Sequence, residues 1–553
     1  MTRILYFDLL LTFGGIKVNV ADYTTKSLDH LGLVSVLCKE LGVAEFIDER
    51  IPKQTTQSHI THGELLVAMI LNGLGFVSRT LHMVPDYFAE KPVERLIGPG
   101  IKAEHINDDA IGRCLDKLYE HGVSSLYQDL AERVVKYLGL PCDLVHLDST
   151  SFHVDGEYHS DIDAQGIRLV KGYSRDHRPE LNQVILNLIT ENQAGLPVYM
   201  QACSGNTNDS DSFKKLVKSH ISSLKAAQRC RYFIGDAALY VAETIQLLDE
   251  QKQFFISRVP QKLCEARDLI QQRDSFELSL LDNGYSAAWY DATYAGVKQK
   301  WLLVKSEQAG KRERHTLNKT ILKNTQQSMK AFNRLCQQSF ACETDALSAL
   351  EKWEKTQLYI RVVDKTTLKT IKHEAPGRPK ADAIGIAQYQ INGHLVTCLQ
   401  RKKTMEEQKG FFILGTNDCS GELTMQNMLD HYKSQQSVER GFRFLKSPDF
   451  LVSSIYLKSP QRIEALLMIM TCCLMIYAAL EHLIRRELQA KNLFFPDMKK
   501  KPTQKPTAKW VFWCFMGIHE LCIKQEMKVV LNINSRQKII LDCLGEKYWG
   551  IYS

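Results

Sequence analysis

The order of apolar runs along the 553 residues predicts an α/β fold: a mixed sheet with helices, interrupted by a β-rich insertion and preceded by an all-α module. Three observations carry this prediction. Apolar residues recur at helical spacing through residues 28–140, whereas short strand-like runs alternate with helices from 141 to 259. Strand-like pieces in a different order then fill residues 260–410.

Residues 1–140 are predicted to form a helical N-terminal module. Asn107 and Asp108 are good N-cap residues for one of its helices. Short helices joined by Gly- and Pro-bearing turns suit a helix-turn-helix-like DNA-binding module, but a helical packing or dimerisation domain fits the pattern equally well. Basic residues, which DNA binding favours, are comparatively sparse in this module, and they include Arg50, Lys53, Arg79, Lys102 and Arg113.

Residues 141–259 begin with three strand-like runs, and the turn-rich loop 191–196 joins the second to the third. A helix over 210–223, a strand that ends at Asp236, a helix and a further strand follow. Three strands, a helix, a strand and then a helix is the order expected of a ribonuclease H-like sheet. We expect this core to resume over residues 411–490, with an apolar strand and a last helix.

Residues 260–410 are predicted to be a β-rich insertion, because their strand-like pieces do not continue that order. The insertion also holds a basic helical run with Lys311, Arg312, Arg314, Lys319, Lys323, Lys330 and Arg334. The C-terminal segment 491–553 is predicted to begin with a flexible basic linker over 491–509. A small packed unit is expected to follow this linker.

The bulk composition is that of a globular protein, with 44% hydrophobic and 24% charged residues. A net charge of +7 fits a polyanionic partner without requiring one. The 15 cysteines show no zinc-site spacing, which indicates reduced thiols in a cytosol. The most apolar stretch, 465–480, is shorter than the roughly 20 residues of a membrane span, so we expect a buried core helix and no membrane partner.

Three acidic residues stand out as candidates for a metal site. Asp148 and Asp236 each follow an apolar strand-like run, where a lone carboxylate is costly to bury, and Glu439 lies on a predicted helix. Phosphodiester cleavage with two metal ions needs carboxylates that hold the ions roughly 4 Å apart, and two Asp and one Glu suffice for Mg²⁺. The alternative is a strand-end cap or turn residue for each aspartate and a helix-surface residue for Glu439.

The run from His431 to Lys446 is the most informative feature of the chain. It sets Tyr432, Gln435, Glu439 and Lys446 along one predicted helix, with two, three and six residues between them. This spacing resembles the Y-(2)-R-(3)-E-(6)-K signature of the DDE transposases of bacterial insertion sequences. That group carries a β-rich insertion in a ribonuclease H-like core, and the 203 positions from the second aspartate to the glutamate leave room for one.

The resemblance covers residues 25–490 and implies a DNA transposase. It implies that Asp148, Asp236 and Glu439 are catalytic and hold two Mg²⁺ (or Mn²⁺) ions per active site. It also implies hydrolysis at the element ends, followed by direct attack of the freed 3′-hydroxyls on target DNA. The implied partners are double-stranded DNA, at the terminal inverted repeats and the target, and a second copy of the chain in a homodimeric synaptic complex. The implied location is a bacterial cytoplasm, in association with the nucleoid.

Several polar residues are candidates for DNA contacts. Their positions in the signature imply that Tyr432 and Lys446 contact the element end near the scissile phosphate. Gln435 stands at the signature's arginine, so it can hydrogen-bond a phosphate but brings no charge. The other candidates are basic residues beside the signature or in the loop 171–183, where an exposed polar loop is the alternative: Arg440, Arg443, Lys171 and Arg178.

Weaker candidates are of three kinds. Carboxylates in polar loop-like stretches compete as metal ligands: Asp155, Asp161, Asp163, Asp176, Asp209 and Asp211. A tryptophan of the insertion (Trp289, Trp301 or Trp353) can stack on a flipped base, although tryptophan in strands is usually core. The stretch 376–380 resembles a minor-groove hook, but a surface turn explains it as well.

Other functions remain open on the sequence alone. One is a ribonuclease H-like nuclease that cleaves without strand transfer. Another is a non-catalytic DNA-binding protein derived from a transposase, although all three acidic positions are intact. A helical protein-interaction scaffold is the least favoured, because it leaves the signature helix unexplained.

Overall fold

The structure, a computed structural model, describes most of the chain. The described residues are 11–13, 16–18, 23–53, 59–76, 83–154, 166–173, 178–208, 230–372, 386–447, 457–523 and 527–553. Of these, residues 11–13, 16–18 and 436–439 are described by their backbone alone. The predicted helix 210–223, the stretch 376–380 and Arg79 lie outside the described residues, as do the six competing carboxylates.

The N-terminal part is mainly helical, as predicted. Its helices among the described residues are α1 Leu31–Leu41, α2 Val43–Arg50, α3 His62–Leu74, α4 Val84–Ala89, α5 Val93–Leu96, α6 Asp108–His121 and α7 Val123–Leu138. Asn107 caps α6, since its side-chain oxygen accepts a hydrogen bond from the backbone N–H of Ala110 (2.9 Å). This part also holds three short strands, so it is not purely α: β1 Leu11–Phe13, β2 Ile16–Val18 and β3 Tyr23–Ser27.

Nine strands form the central sheet. From one edge to the other they are β6 Pro197–Ser204, β5 Asn182–Glu191, β4 Leu144–Val154, β7 Tyr232–Gly235, β8 Phe254–Arg258, β14 Phe411–Thr416, β11 Val297–Ser306, β10 Tyr285–Tyr294 and β9 Ser279–Leu281. Strand β7 is parallel to both β4 and β8, whereas β5 is antiparallel to its neighbours β4 and β6. Helix α8 Ala242–Glu250 connects β7 to β8. These five strands have the predicted ribonuclease H-like order, and the mixed α/β fold class is confirmed.

Part of the predicted insertion belongs to the central sheet. Strands β9, β10 and β11 continue the central sheet, because β11 pairs with β14 from Lys300 to Lys305. The rest of the insertion is mainly helical rather than β-rich, with four α-helices and two strands among its described residues. Its elements are α9 Cys264–Gln271, α10 Glu307–Cys336, α11 Glu343–Lys355, β12 Ile360–Lys372, β13 Ile386–Thr397 and α12 Leu399–Glu407. The predicted basic helical run is α10.

Three helices follow β14: α13 Met425–Lys433, α14 Gln436–Leu445 and α15 Pro460–Ala490. By length and composition α15 is apolar enough to cross a membrane, but 89% of its most apolar window is buried inside the protein. It packs against helices of the N-terminal part and against β6, in one large hydrophobic core. The prediction of a buried core helix over 465–480 is therefore confirmed.

The C-terminal segment is not a flexible linker followed by a separate unit. The Asp497 carboxylate accepts hydrogen bonds from the backbone N–H groups of Lys499 (2.8 Å) and Lys501 (2.7 Å), which stabilises a small hairpin. The Tyr552 hydroxyl donates to the backbone oxygen of Asp29 (2.6 Å), so the last helix is attached to the N-terminal helices. The elements are β15 Phe495–Pro496, β16 Pro502–Thr503, α16 Ala508–Cys514, β17 His519–Ile523, β18 Met527–Leu531, α17 Ser535–Leu544 and α18 Glu546–Ile551.

The two ends of the described chain share a sheet. Strand β3 pairs antiparallel with β17, which also pairs with β18. Arg95, on α5, donates to the backbone oxygen of Ile551 (2.9 Å) and forms an ion pair with Glu520 (2.5 Å). Segments predicted separately as an N-terminal module and a C-terminal unit thus pack together around α15.

Glu464, in the second turn of α15, gives the protein a testable pH dependence. Burial raises the pKa of this carboxyl from 4.5 to about 7. An acid whose pKa is raised by folding stabilises the folded state below its unfolded pKa, and that stability is lost as the pH rises from 4.5 to 7. We expect Glu464→Gln to leave the unfolding free energy unchanged at pH 4.5 and to raise it by up to about 2 kcal/mol at pH 8, after allowance for partial solvent screening.

Denaturant unfolding of both proteins at the two pH values measures this difference. Other titrating groups cancel in the comparison, because both proteins contain them. Equal unfolding free energies at pH 8 would contradict the prediction.

Candidate active site

Asp148 and Asp236 lie side by side where the parallel pairing of β4 with β7 ends. Strand β4 pairs with β7 in parallel register, and the last pair before the aspartates is Leu147 with Gly235. Asp148 and Asp236 are the next residues on the two chains. Neighbouring parallel strands are about 4.8 Å apart, and residues in register share a face of the sheet. The backbone positions that carry the two carboxylates are therefore next to each other. Both side chains are half-buried.

Local hydrogen bonds hold each aspartate in its place. The Asp148 carboxylate accepts from the backbone N–H of Ser149 (2.8 Å), and the Asp236 carboxylate accepts from that of Ala238 (2.9 Å). The backbone oxygen of Asp236 also accepts from the hydroxyl of Ser257 on β8 (2.7 Å). The turn after β7 is therefore attached to the next strand, which fixes the direction in which the chain leaves the sheet.

Two half-buried carboxylates at neighbouring positions repel each other unless a cation lies between them. Oxygen ligands of this kind are those that Mg²⁺ prefers. Among the residues whose side chains are described, no group of three or more His, Cys, Asp and Glu is arranged to hold a metal ion. Asp148 and Asp236 thus fit as two ligands of a site that needs at least one further donor.

The signature run forms two helices rather than the one predicted. Tyr432 lies in α13, Glu439 lies in α14, and Lys446 is the residue that ends α14. The backbone between them stays in the right-handed helical region at Ser434 and Gln435, but the regular hydrogen-bond pattern is interrupted there. Helix α13 contacts β7, β8 and β10, and α14 contacts β4, so the run passes over several strands of the sheet.

Both ends of α14 contact β4. Before the helix, the Ser434 hydroxyl lies 3.1 Å from Nε2 of His146, and after it the Lys446 ammonium lies 5.9 Å from the centre of the Phe152 ring. Asp148 lies between these two contacts on β4, and position 439 lies between them on α14. The Glu439 backbone therefore passes over the part of β4 that carries Asp148, while its side chain lies outside the described part of the structure.

The other signature residues have packing roles as well. Tyr432 is half-buried and packs with Ile234, Met428 and Leu429 between α13 and the sheet. Gln435, half-buried, caps α14, and its backbone N–H donates to the backbone oxygen of Tyr432 (3.3 Å).

The basic candidates divide into those near the signature and those on the loop beside β5. Arg440 and Arg443 are exposed on α14. Lys171 is exposed, and Arg178 forms an ion pair with Glu180, which lowers the pKa of that carboxyl. Arg175 and His177 of the same loop lie outside the described residues.

The tryptophans of the insertion belong to hydrophobic clusters. Trp301 is fully buried, and its indole N–H donates to the Tyr240 hydroxyl (3.0 Å). Trp289 packs with the cluster beneath α13, and Trp353 packs against Phe332 on α10. These contacts explain the three tryptophans as residues of hydrophobic clusters. Because Trp301 is fully buried, it cannot stack on a flipped base.

His146 and Ser434 are neighbours of the candidate site that the sequence analysis missed. His146 is buried two residues before Asp148, and its Nε2 also lies 3.0 Å from the side-chain oxygen of Asn192. Burial lowers the pKa of His146 to about 4, so the ring is neutral at physiological pH. The two-residue period of a strand was the available signal, because it puts His146 on the same face as Asp148.

Two family models match the chain. A family model described as a transposase DDE domain matches residues 145–476, more than half of the chain. A second model, described as a domain of unknown function (DUF4277), matches residues 23–132. None of the curated proteins matches the chain.

Two solved transposase structures are distantly similar. A piggyBac transposase synaptic complex with hairpin DNA matches over 96% of this chain and 88% of that chain, at 10% identity and a TM-score of 0.38. A Mos1 transposase paired-end complex with left transposon end matches over 41% of this chain and 76% of that chain, at 11% identity and a TM-score of 0.15. Both similarities are too weak to show a shared family, so the family of the chain is given by the transposase DDE domain model. That model spans both aspartates and position 439, and the chain belongs to the DDE transposase family.

Proposed function

We propose that this transposase cuts the ends of a DNA element at a site formed by Asp148, Asp236 and Glu439. The freed 3′-hydroxyls would then attack target DNA by direct transesterification. The observation that carries the proposal is the parallel register of β4 and β7, which brings two aspartates together beneath the helix that contains Glu439. In this proposal Glu439 supplies the further donor that the two aspartates need.

Transposases of this family generally work with divalent metal ions. We propose two Mg²⁺ (or Mn²⁺) ions per site, held by Asp148, Asp236 and Glu439. Such ions supply charge stabilisation at the attacking and leaving oxygens of an in-line displacement. The protein's contribution would be to position the backbone that carries the three residues, through the parallel pairing of β4 with β7 and through the contacts of Ser434 and Lys446 with β4.

The proposed DNA contacts follow from their positions around this site. Lys446 and Tyr432, at the two ends of the signature run, would contact the element end near the scissile phosphate, and Gln435 would add an uncharged hydrogen bond. The exposed basic residues would bind neighbouring phosphates: Arg440, Arg443, Lys171 and Arg178. The partner is double-stranded DNA at terminal inverted repeats and at the target.

Two further parts of the proposal concern assembly and location. The N-terminal helices would recognise the terminal repeats, and the active complex would be a homodimer that synapses two ends. The protein would act in a bacterial cytoplasm, at the nucleoid.

The test is cleavage of DNA that carries the element's own ends. We expect Mg²⁺-dependent, end-specific nicking that leaves 3′-hydroxyl products, joining of these ends to a target plasmid, and loss of both activities with EDTA. Cleavage without joining would favour a ribonuclease H-like nuclease. Binding without cleavage in any divalent metal would favour a non-catalytic DNA-binding protein and would overturn the proposal.

A further inference from the structure

The positive charge of the chain is concentrated in one part of the insertion. Residues 307–409 contain 19 Lys and Arg against 11 Asp and Glu, a net charge of +8. Because the whole chain carries +7, the remaining 450 residues together carry −1. Asp148 and Asp236 therefore do not lie in the part of the chain that attracts polyanions most strongly.

Within this part, five of the seven lysines and arginines of α10 lie on one face. The helix has 30 residues, and a group of five cations recurs at intervals of seven, four, seven and four residues. These intervals match two turns or one turn of an α-helix, so the five lie on a single stripe. We call it the α10 stripe, and all five members are exposed: Arg312, Lys319, Lys323, Lys330 and Arg334.

The opposite face of α10 holds the helix in place. Leu317 and Ile321 are buried against Tyr359 and Ile360, and Phe332 is buried in a second cluster with α11 and the β12–β13 hairpin. The first turn is capped by the Ser306 hydroxyl, which accepts from the backbone N–H of Ala309 (3.2 Å). Since Ser306 is the last residue of β11, the helix extends from the central sheet with no intervening loop. The base of the helix is therefore joined directly to the sheet that carries the candidate active site.

The chemistry of the stripe fits duplex DNA. From Arg312 to Arg334 it is about 33 Å long, at 1.5 Å per residue, which is close to one turn of B-DNA. The one Phe, Tyr or Trp of the helix, Phe332, is buried, so the stripe offers no aromatic surface on which the bases of a single strand would stack. A row of fixed cations without aromatic side chains recognises phosphates and not base sequence.

We propose that the α10 stripe is a second DNA-binding surface, which binds the phosphate backbone of duplex DNA away from the candidate active site. This inference rests on the proposed function in one respect, that DNA is the substrate. The stripe would supply sequence-independent, salt-dependent affinity, and the signature residues would position the scissile phosphate.

The test compares two full-length variants with the unaltered protein. The first replaces four stripe residues by glutamine: Arg312→Gln, Lys319→Gln, Lys323→Gln and Lys330→Gln. The matched control removes the same charge from four exposed lysines of the C-terminal hairpin: Lys499→Gln, Lys500→Gln, Lys501→Gln and Lys505→Gln. Affinity for a 30-base-pair duplex of random sequence is measured by fluorescence anisotropy between about 50 and 400 mM KCl, with a single strand of the same sequence as competitor.

We expect the stripe variant to lower the slope of log affinity against log salt by about 3 to 4, since each phosphate contact contributes about 0.9. At 150 mM KCl its affinity should fall by about 100-fold or more, while the control keeps the affinity and slope of the unaltered protein. An unchanged slope, an equal loss in the control, or preferential competition by the single strand would each overturn the proposal.

Nicking at element ends, measured at 50 mM KCl, separates this proposal from the proposed function. If the unaltered protein binds duplex through the stripe but cleaves no DNA, the stripe stands and the catalytic proposal fails. If the unaltered protein cleaves DNA but the stripe variant binds duplex as tightly as the unaltered protein does, the catalytic proposal stands and the stripe proposal fails.

Discussion

Asp148→Asn and Asp236→Asn are each expected to lower end-specific cleavage by about 1,000-fold or more, while duplex binding persists. Each substitution keeps the size of the side chain and removes the negative charge at a position where the parallel register brings two carboxylates together. A metal site supplies several kcal/mol of transition-state stabilisation, and each 1.4 kcal/mol corresponds to a tenfold change in rate. Glu439→Ala is expected to have an effect of the same order.

The measurement is single-turnover nicking in Mg²⁺, with binding followed separately by anisotropy. Asp143→Asn is the matched control, because Asp143 is exposed and lies five residues before Asp148. It should cleave at the unaltered rate. Normal cleavage by Asp148→Asn would show that other carboxylates hold the metal. Loss of binding together with cleavage would point to misfolding rather than to chemistry.

The second large effect expected is on stability, from Gly63→Ala. Gly63 lies in the first turn of α3, and an added Cβ would stand 2.0 Å from the backbone oxygen of Ala44 and 2.6 Å from its carbonyl carbon. Backbone atoms cannot rotate away, so α2 and α3 must separate. Overpacking of this kind typically costs about 1 to 3 kcal/mol, and a clash with backbone belongs at or above the upper end.

Gly550→Ala is the control, because an added Cβ there meets no atom within 4 Å. Thermal unfolding followed by circular dichroism should show a clear decrease of the melting temperature for Gly63→Ala and none for Gly550→Ala. Because the N-terminal helices pack on α15, limited proteolysis should also show earlier cleavage within the catalytic core of Gly63→Ala. If the N-terminal helices were an independent module, the core would keep its resistance.

Local patterns were sufficient to predict the central part of the fold. The runs before Asp148 and Asp236 have the length and apolar character of buried strands, and both are strands in the structure. The turn-rich loop 191–196 predicted the β5–β6 hairpin, and Asn107 predicted the start of α6. Such signals are contained within a few consecutive residues, so one sequence is enough to detect them.

Long-range pairing was beyond the reach of these patterns. A strand-like run does not specify its neighbours, and β9–β11 joined the central sheet because β11 had β14 to pair with. The lysine-rich segment 491–509 has the composition of a linker, but Asp497 closes it into a hairpin through two backbone hydrogen bonds. Each outcome depends on partners that are distant or on hydrogen bonds that composition does not reveal.

The chain's own residues therefore determine a ribonuclease H-like core, a long buried helix, and the acidic and signature positions that mark a DDE transposase. The tertiary structure decides the parallel register that brings Asp148 beside Asp236, the change of helix at Ser434, and the fixed direction of α10. The physical reason is that local propensity acts between residues close in sequence. Register and helix orientation are instead chosen by burial and hydrogen bonding between residues far apart in the chain.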